Sequence, residues 1–308
     1  MKLFIARLAV NHRLADALNS GRLIVMAQCL PPCGSDRDAF MTLSDTLPSN
    51  LDAIVVADNP DRIRASAFSV AAMLSKTKEA SVVLSMATRD RNRLALMSDV
   101  LGAAALNIAG ILCISGNHQS LGICAQAAAA HDLDSTQFVQ AMKKLILHGS
   151  GLNGKEMEPP LEIQIGTTVH PYLEPMELNL LRLKKKVSVG ADFVLTQAIF
   201  DLEHFTQWMN SVRATGLDKR TAIIPSVLPL AGVKEARALQ QSRIFGPIDD
   251  SIIDRIGMAA DPAGEGVAIA SEIAIQLKAI PGVRGIHILS GGCESLAGEV
   301  IKQAKLKT

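Results

Sequence analysis

The run LLRLKKKVSVGADFVLTQAIFD, Leu180 to Asp201, writes a helix, a turn, a buried strand and a polar pair within one short unit. Leu180, Leu181, Leu183 and Val187 mark the apolar side of a helix. Lys184, Lys185 and Lys186 put cations near its C-terminal end, where the macrodipole favours them. Gly190 ends the helix. Phe193 to Phe200 is then almost wholly apolar, as in a parallel strand covered on both faces, except for Thr196 and Gln197 near its C-terminal end. That end is where parallel α/β folds hold ligands.

Seven more apolar, β-branched segments surround this one: Leu23 to Leu30, Asp52 to Asp58, Ser81 to Thr88, Gly110 to Ser115, Leu161 to Val169, Thr221 to Leu230 and Gly285 to Ser290. Helical patterns separate them. Eight strands alternating with helices in a chain of 308 residues predict a (β/α)8 TIM barrel with additional helices rather than an open doubly wound sheet. The helix Asp90 to Leu106 has Thr88 or Asp90 as its cap and Leu94, Leu96, Met97, Val100 and Leu101 as its buried stripe.

Two regions exceed a minimal barrel. An insertion over about 117–160 includes a helix, Ser135 to His148, and the polar turn HGSGLNGKEMEPP; long loops of this kind commonly belong to the site. Val233 to Ile280 carries helical patterns at Val233 to Gln241, Asp249 to Ala259 and Gly264 to Ala279, one helix more than the barrel needs. A helical extension occupies about 1–21. With no repeat and no linker, one domain over 1–308 is expected.

Composition excludes several classes. Lys plus Arg number 31 against 30 Asp plus Glu, and the net charge of +1 gives no electrostatic attraction to nucleic acid or an acidic membrane. Aromatic residues are 3%, which leaves no stacking platform for single strands. The five cysteines, Cys29, Cys33, Cys113, Cys124 and Cys293, are odd in number and scattered, which argues against a secreted disulfide framework and for a cytoplasmic protein. Cys29 and Cys33 lack the second pair that a zinc site needs. MKLFIARL is too short an apolar run for a signal peptide, and no stretch approaches bilayer length.

With the barrel in view, TRDRNRLALMSDVLGAAALNIAGILCISGN (Thr88 to Asn117), GADFVLTQAIFD (Gly190 to Asp201), PSVLPL (Pro225 to Leu230) and the pair Pro31 and Pro32 after the first strand fall in one order. Together they resemble the methylenetetrahydrofolate reductase family, in its compact bacterial form without a regulatory domain. The resemblance implies a barrel with FAD at the C-terminal ends of its strands. It implies interconversion of 5,10-methylenetetrahydrofolate and 5-methyltetrahydrofolate, with NAD(P)H or an electron-transfer partner protein reloading the flavin. A homo-oligomer stays open.

The same resemblance assigns residues. The first strand of the family delivers a glutamate that acts as the acid opening the methylene bridge; Gln28 stands there, and an amide cannot donate a proton as a carboxyl does. The fourth strand ends in Ser115, Gly116 and Asn117 where the family has Gly-Asp. Loss of that charge beside a flavin raises its reduction potential. Gln197 falls on a folate-binding glutamine, and Pro229 belongs to the substrate side. Lys186 matches a lysine near the flavin pyrophosphate and His170 a histidine of the flavin site. Thr88 and Arg89 join the cofactor set, as do His131 and Asp132 in the loop that meets the adenine half. Met86 and Gly166 occupy cofactor positions that carry His and Tyr in well-known members, and Ala57, Asn179 and Cys293 depart in the same way.

From the residues alone, Gln28 either binds ligand or caps backbone beside Pro31, and His170 is either a loop histidine or a cofactor contact. Gly291 and Gly292 resemble a phosphate-cradling turn but lack a dinucleotide fingerprint. The expected activity is a flavin-dependent oxidoreductase of folate metabolism. The alternative, motivated by Gln28 and Asn117, is a folate-binding barrel without reductase activity that serves as a partner or carrier; methyl transfer to a corrinoid protein is a third reading.

Overall fold

The strands are buried on both faces, and their residues alternate between an apolar cluster inside the barrel and one beneath the helices; that sorting dictates the architecture. The computed structural model describes residues 13–118, 124–130, 132–149, 161–242 and 246–307. Residues 1–12 of the N-terminal extension and 150–160 of the polar turn lie outside the described residues, as does His131. Eight strands, β1 (Ile24–Cys29), β2 (Ala53–Val56), β3 (Ser81–Ala87), β4 (Gly110–Ile114), β5 (Gln164–Val169), β6 (Phe193–Ala198), β7 (Ala222–Val227) and β8 (Gly285–Ile288), run parallel and close in sequence order, β1 pairing with β8. Each falls within a segment read from the sequence.

Ile24, Met26, Ala53, Val55, Val83, Leu112, Phe193, Leu195, Ala222 and Ile224 fill the barrel interior as one apolar cluster. The alternate residues, Val25, Ile54, Val82, Leu84, Ile111, Ile165, Val194, Ile223 and Ile286 among them, pack outward against the helices. Gly166 serves this packing: a Cβ there would lie 2.3 Å from Phe193 Cζ and 2.9 Å from Leu112 Cδ1. The Phe193 ring takes the space instead.

A short helix, α1 (13–19), covers the N-terminal end of the barrel. Leu14 and Ala17 join the interior cluster, Leu14 N donates to Ser81 Oγ at 3.1 Å, and Arg284 donates to Leu18 O at 3.0 Å. The helices α2 (Arg37–Thr42), α3 (Ala67–Thr77), α4 (Arg93–Ala105), α5 (Ser135–His148), α6 (Met176–Ser188), α7 (Leu202–Ala214), α8 (Val233–Ser242), α9 (Asp250–Met258), α10 (Pro262–Ala279) and α11 (Leu296–Gln303) lie outside the strands. The helix predicted at Ser135 to His148 is found at those bounds, with a capping box between Asp134 and Gln137. No helix among the described residues is long and apolar enough to cross a membrane.

Two helix readings are corrected. Asn92, not Thr88 or Asp90, caps α4, its Oδ1 accepting from Ala95 N at 3.0 Å. The later start turns the buried stripe to Leu96, Met97, Val100 and Ala103, leaving Leu94 and Leu101 exposed. On α6 the buried residues are Asn179, Leu183 and Val187, at four-residue spacing, while Leu181 faces outward.

Asp52 ties the chain's two ends together beneath β1. Its carboxylate accepts from Val25 N at 2.8 Å and pairs with Arg22 and Lys307, each at 2.7 Å. Burial alone would raise its pKa. The Arg22 hydrogen bond, followed by Lys307 and the Val25 amide, outweighs that and holds the carboxyl below the usual range.

Candidate functional site

The apolar filling stops short of the strand ends, and polar side chains take over there. Gln28 on β1 follows Met26 by two residues and is half-buried; its Oε1 accepts from Ser290 N at 3.4 Å. Gln197 follows the inward Leu195 on β6 and is also half-buried. Thr168 on β5, Ser226 on β7 and His287 on β8 continue the same inward register. This mouth therefore offers the Gln28 and Gln197 amides and the Thr168 hydroxyl above an apolar floor, with Ser226 and His287 buried beside them.

Beside the mouth, Thr88, Arg89, Ser115, Gly116, Asn117, His118, Leu133, Asp134 and Gln137 line a cleft of ≈ 360 Å³ at the ends of β3 and β4 and the start of α5. Five of the sequence-derived residues (Thr88, Arg89, Ser115, Gly116 and Asn117) meet in it. Its floor is set by backbone hydrogen bonds from Thr88 N to Ile114 O (2.9 Å) and from Arg89 N to Ser115 O (3.1 Å). Gly116 has φ +78°, and a Cβ there would lie 3.2 Å from the Arg89 guanidinium, so glycine lets that group pack flat against the turn. Ser115 Oγ donates to or accepts from Ser135 Oγ at 3.1 Å, and Asn117 is exposed at the rim, its amide able both to donate and to accept.

Lys186 reaches the neighbouring strand end from α6, its Nζ donating to Thr168 O at 2.8 Å. Burial pushes its pKa down to about 8, while the Cys113 thiol and the Asp134 carboxylate act the other way. A half-desolvated ammonium whose described hydrogen bond goes to a carbonyl is suited to an anionic ligand, above all phosphate.

Other sequence-derived positions sit differently. Met86 lies in the outer layer between barrel and helices, because its register on β3 matches Val82 and Leu84, so the structure does not bring it to the mouth. Gly166 is inside the barrel under the Phe193 ring, below the strand ends, which leaves no room for a ligand at that position. Arg89 is at the cleft but its guanidinium is engaged by Asp90 (2.6 Å), Asn117 O (2.8 Å) and Asn59 O (3.5 Å), so it braces three loops. Asp132 accepts three hydrogen bonds from the Arg93 side chain and one from Arg93 N, which hold its pKa down and leave it tied to the start of α4. His170 stacks edge-on to Tyr172 at 6.0 Å, and its carbonyl accepts from Asn179 Nδ2 at 2.7 Å. Asn179 also bonds Leu173 O at 3.1 Å and thus closes the β5–α6 turn. Pro229 is buried at the end of β7.

Sequence reading missed the polar groups on the last strands. Glu294, 8% exposed, accepts from Leu30 N at 2.9 Å and so places a carboxylate at the β8–β1 rim, close in the chain to Gly291 and Gly292. Glu235 caps Ala231 N at 2.6 Å and lies against Gly291. Ser226 and His287 interrupt the inward apolar registers Ala222, Ile224 and Gly285. That interruption of a period-two pattern was the available signal.

The model of the family described as methylenetetrahydrofolate reductase matches residues 43–305. Among curated proteins, methylenetetrahydrofolate reductase 2 of Saccharomyces cerevisiae is 40% identical over 63 residues, 20% of this chain and 10% of that one. The 5,10-methylenetetrahydrofolate reductase of Escherichia coli is 30% identical over 113 residues, 33% of this chain and 38% of that one. The matched stretches thus span well under two thirds of these relatives. Among solved structures, a protein from Clostridium thermocellum described as binding two copies of 5-methyl-5,6,7,8-tetrahydrofolic acid superposes with a TM-score of 0.66 at 14% identity, over 94% of this chain and 96% of that one. An oxaloacetate acetylhydrolase follows at a TM-score of 0.53 and 12% identity, over 96% and 84%. At such identities the likeness is one of fold.

Proposed function

Because the chain belongs to the methylenetetrahydrofolate reductase family, we propose that it binds a tetrahydrofolate derivative at the barrel mouth and, with FAD, interconverts 5,10-methylenetetrahydrofolate and 5-methyltetrahydrofolate. The observation that carries this reading is the pair of half-buried amides, Gln28 and Gln197, raised above an apolar floor. A reduced pterin offers an edge of N–H, amino and carbonyl groups, and side-chain amides are neutral partners for both kinds. Gln197 holds that edge, Gln28 lies at the methylene-bridge side, and Pro229 shapes the wall.

The residues beside the mouth fit FAD. The Thr88 and Ser115 hydroxyls and the Asn117 amide supply donors for ring carbonyls and ribose, and Lys186 supplies a cation for the pyrophosphate. Bound there, FAD would supply the hydride exchanged with the folate carbon. Purified protein is accordingly expected to be yellow, with a flavin spectrum bleached by methyltetrahydrofolate or a reductant; a colourless preparation unable to take up FAD overturns the flavin reading.

Lys186 adds a pH dependence with a definite sign. Its folded pKa is about 8, so the cation is present below that pH and is lost as pH rises through it. FAD affinity should fall above pH 8, and Lys186→Met should lower it roughly tenfold or more at pH 7 and flatten the profile, as loss of a charge-assisted hydrogen bond implies. Fluorescence titration across pH 6.5 to 9.5 measures both; an unchanged affinity in the variant removes Lys186 from the cofactor site.

A second reading has its own observation. Gln28 and Asn117 put amides where the resembled family has carboxylates, and a barrel of this kind can bind methyl-folate as a carrier without turning it over. NAD(P)H or a partner protein as electron donor belongs to the first reading only.

A further inference from the structure

The register between β6 and β7 slips at the mouth. Leu195 pairs with Ile224, yet the next pair is Ala198 with Ser226, so β6 advances three residues while β7 advances two. The extra residue lies in the Thr196–Gln197 segment, and a slip of this kind normally leaves ladder groups without partners. Here Ser226 takes them up. Its N–H donates to Thr196 Oγ1 at 3.1 Å, its hydroxyl donates to Thr196 O at 2.6 Å, and Thr196 Oγ1 in turn donates to Gln197 O at 2.6 Å. The peptide units on both sides of Gln197 are thereby fixed.

The clamp continues one strand further. Ser226 Oγ lies 2.9 Å from His287 Nδ1. A hydroxyl has one proton, and in Ser226 it goes to the Thr196 carbonyl, since two bare oxygens 2.6 Å apart would repel. Ser226 Oγ can then only accept, so His287 carries its proton on Nδ1 and its Nε2 is bare. All three side chains are buried, at 0% for Ser226, 3% for His287 and 6% for Thr196. Burial also pushes the His287 pKa down to about 3, which keeps the ring neutral. The described hydrogen bonds leave Nε2 without a partner.

We propose that His287 and Ser226 are positioning residues: a relay from β8 through β7 that locks the β6 bulge and so fixes the aim of Gln197 at the bound pterin. This rests on the folate reading of the mouth, and it adds residues that do not themselves touch the ligand. A purely structural role would alter stability without altering affinity in a way that depends on Gln197.

Two measurements on the full chain test it. In ¹⁵N-labelled protein at neutral pH, the His287 resonances, identified by their loss in His287→Asn, should show a protonated Nδ1 and a bare Nε2; the opposite tautomer or an imidazolium overturns the relay. Calorimetric titration with 5-methyltetrahydrofolate should show Ser226→Ala and His287→Leu weakening binding about tenfold, and His287→Asn, whose amide can donate in place of Nδ1, staying within about threefold. Adding Ser226→Ala to Gln197→Ala should cost no further affinity, as expected for groups acting through one another. Affinity lost in Gln197→Ala but kept in Ser226→Ala overturns the positioning role alone. Unchanged affinity in Gln197→Ala overturns the folate reading, and the tautomer result then stands by itself.

Discussion

Replacing Gln28 by glutamate is expected to raise methylenetetrahydrofolate turnover about 10²–10⁴-fold, the usual contribution of a positioned general acid. The substitution changes little in shape: the glutamate can keep the Ser290 N–H bond that Gln28 Oε1 accepts now. Half-burial above an apolar floor raises a carboxyl's pKa and helps it retain a proton near neutrality. That proton would go to the bridge nitrogen as its bond to the methylene carbon breaks, a step an amide cannot perform. Steady-state rates of both proteins, with folate affinity measured alongside, give the answer. A variant that binds folate as before and turns over no faster defeats the acid-loss account and favours the carrier reading.

The second large effect is structural. Gly266, in the first turns of α10, packs directly on the backbone at the end of β7: an added Cβ would lie 1.9 Å from Leu230 O, 2.8 Å from Leu230 C and 2.9 Å from Leu230 N. No side chain can turn aside to make room, so helix and strand end must separate. Gly266→Ala should cost about 3 kcal/mol or more, at the upper end of over-packing effects. The melting temperature should then fall by about 5 °C or more for a domain of this size. Because Leu230 follows Pro229, folate affinity should fall as well. Thermal unfolding by circular dichroism reads the first effect, and a melting point within a degree of the parent shows that the close approach is not maintained in solution.

The strands were legible because burial on both faces, or alternation between interior and helix layer, leaves apolar runs of the right length bounded by glycine and polar turns. Gln197 stood out for the related reason that an amide near the end of such a run breaks it, whereas Gln28 was singled out by the family resemblance. Met86 was not, since a buried methionine reads the same whether it faces the interior or the helices, and only the register with Val82 and Leu84 decides. Gly166 looked like an opening, whereas Phe193 on the next strand fills it; a cross-strand partner cannot be read from local sequence. Leu94 and Leu181 misled because each lies near, but not on, the stripe that the observed helix starts and neighbours select. The Ser226 clamp depends on a slip of one residue between two strands, which no periodicity within either strand reveals.

The helix at 13–19 seals one end of the cylinder with Leu14 and Ala17 and anchors itself to Ser81 and Arg284. With the interior itself packed by side chains, the described residues leave the opposite rim, at the C-terminal strand ends, as the face where a ligand would be met. If two bulky reactants both needed the place over Gln28 and Gln197, they would have to take turns at it.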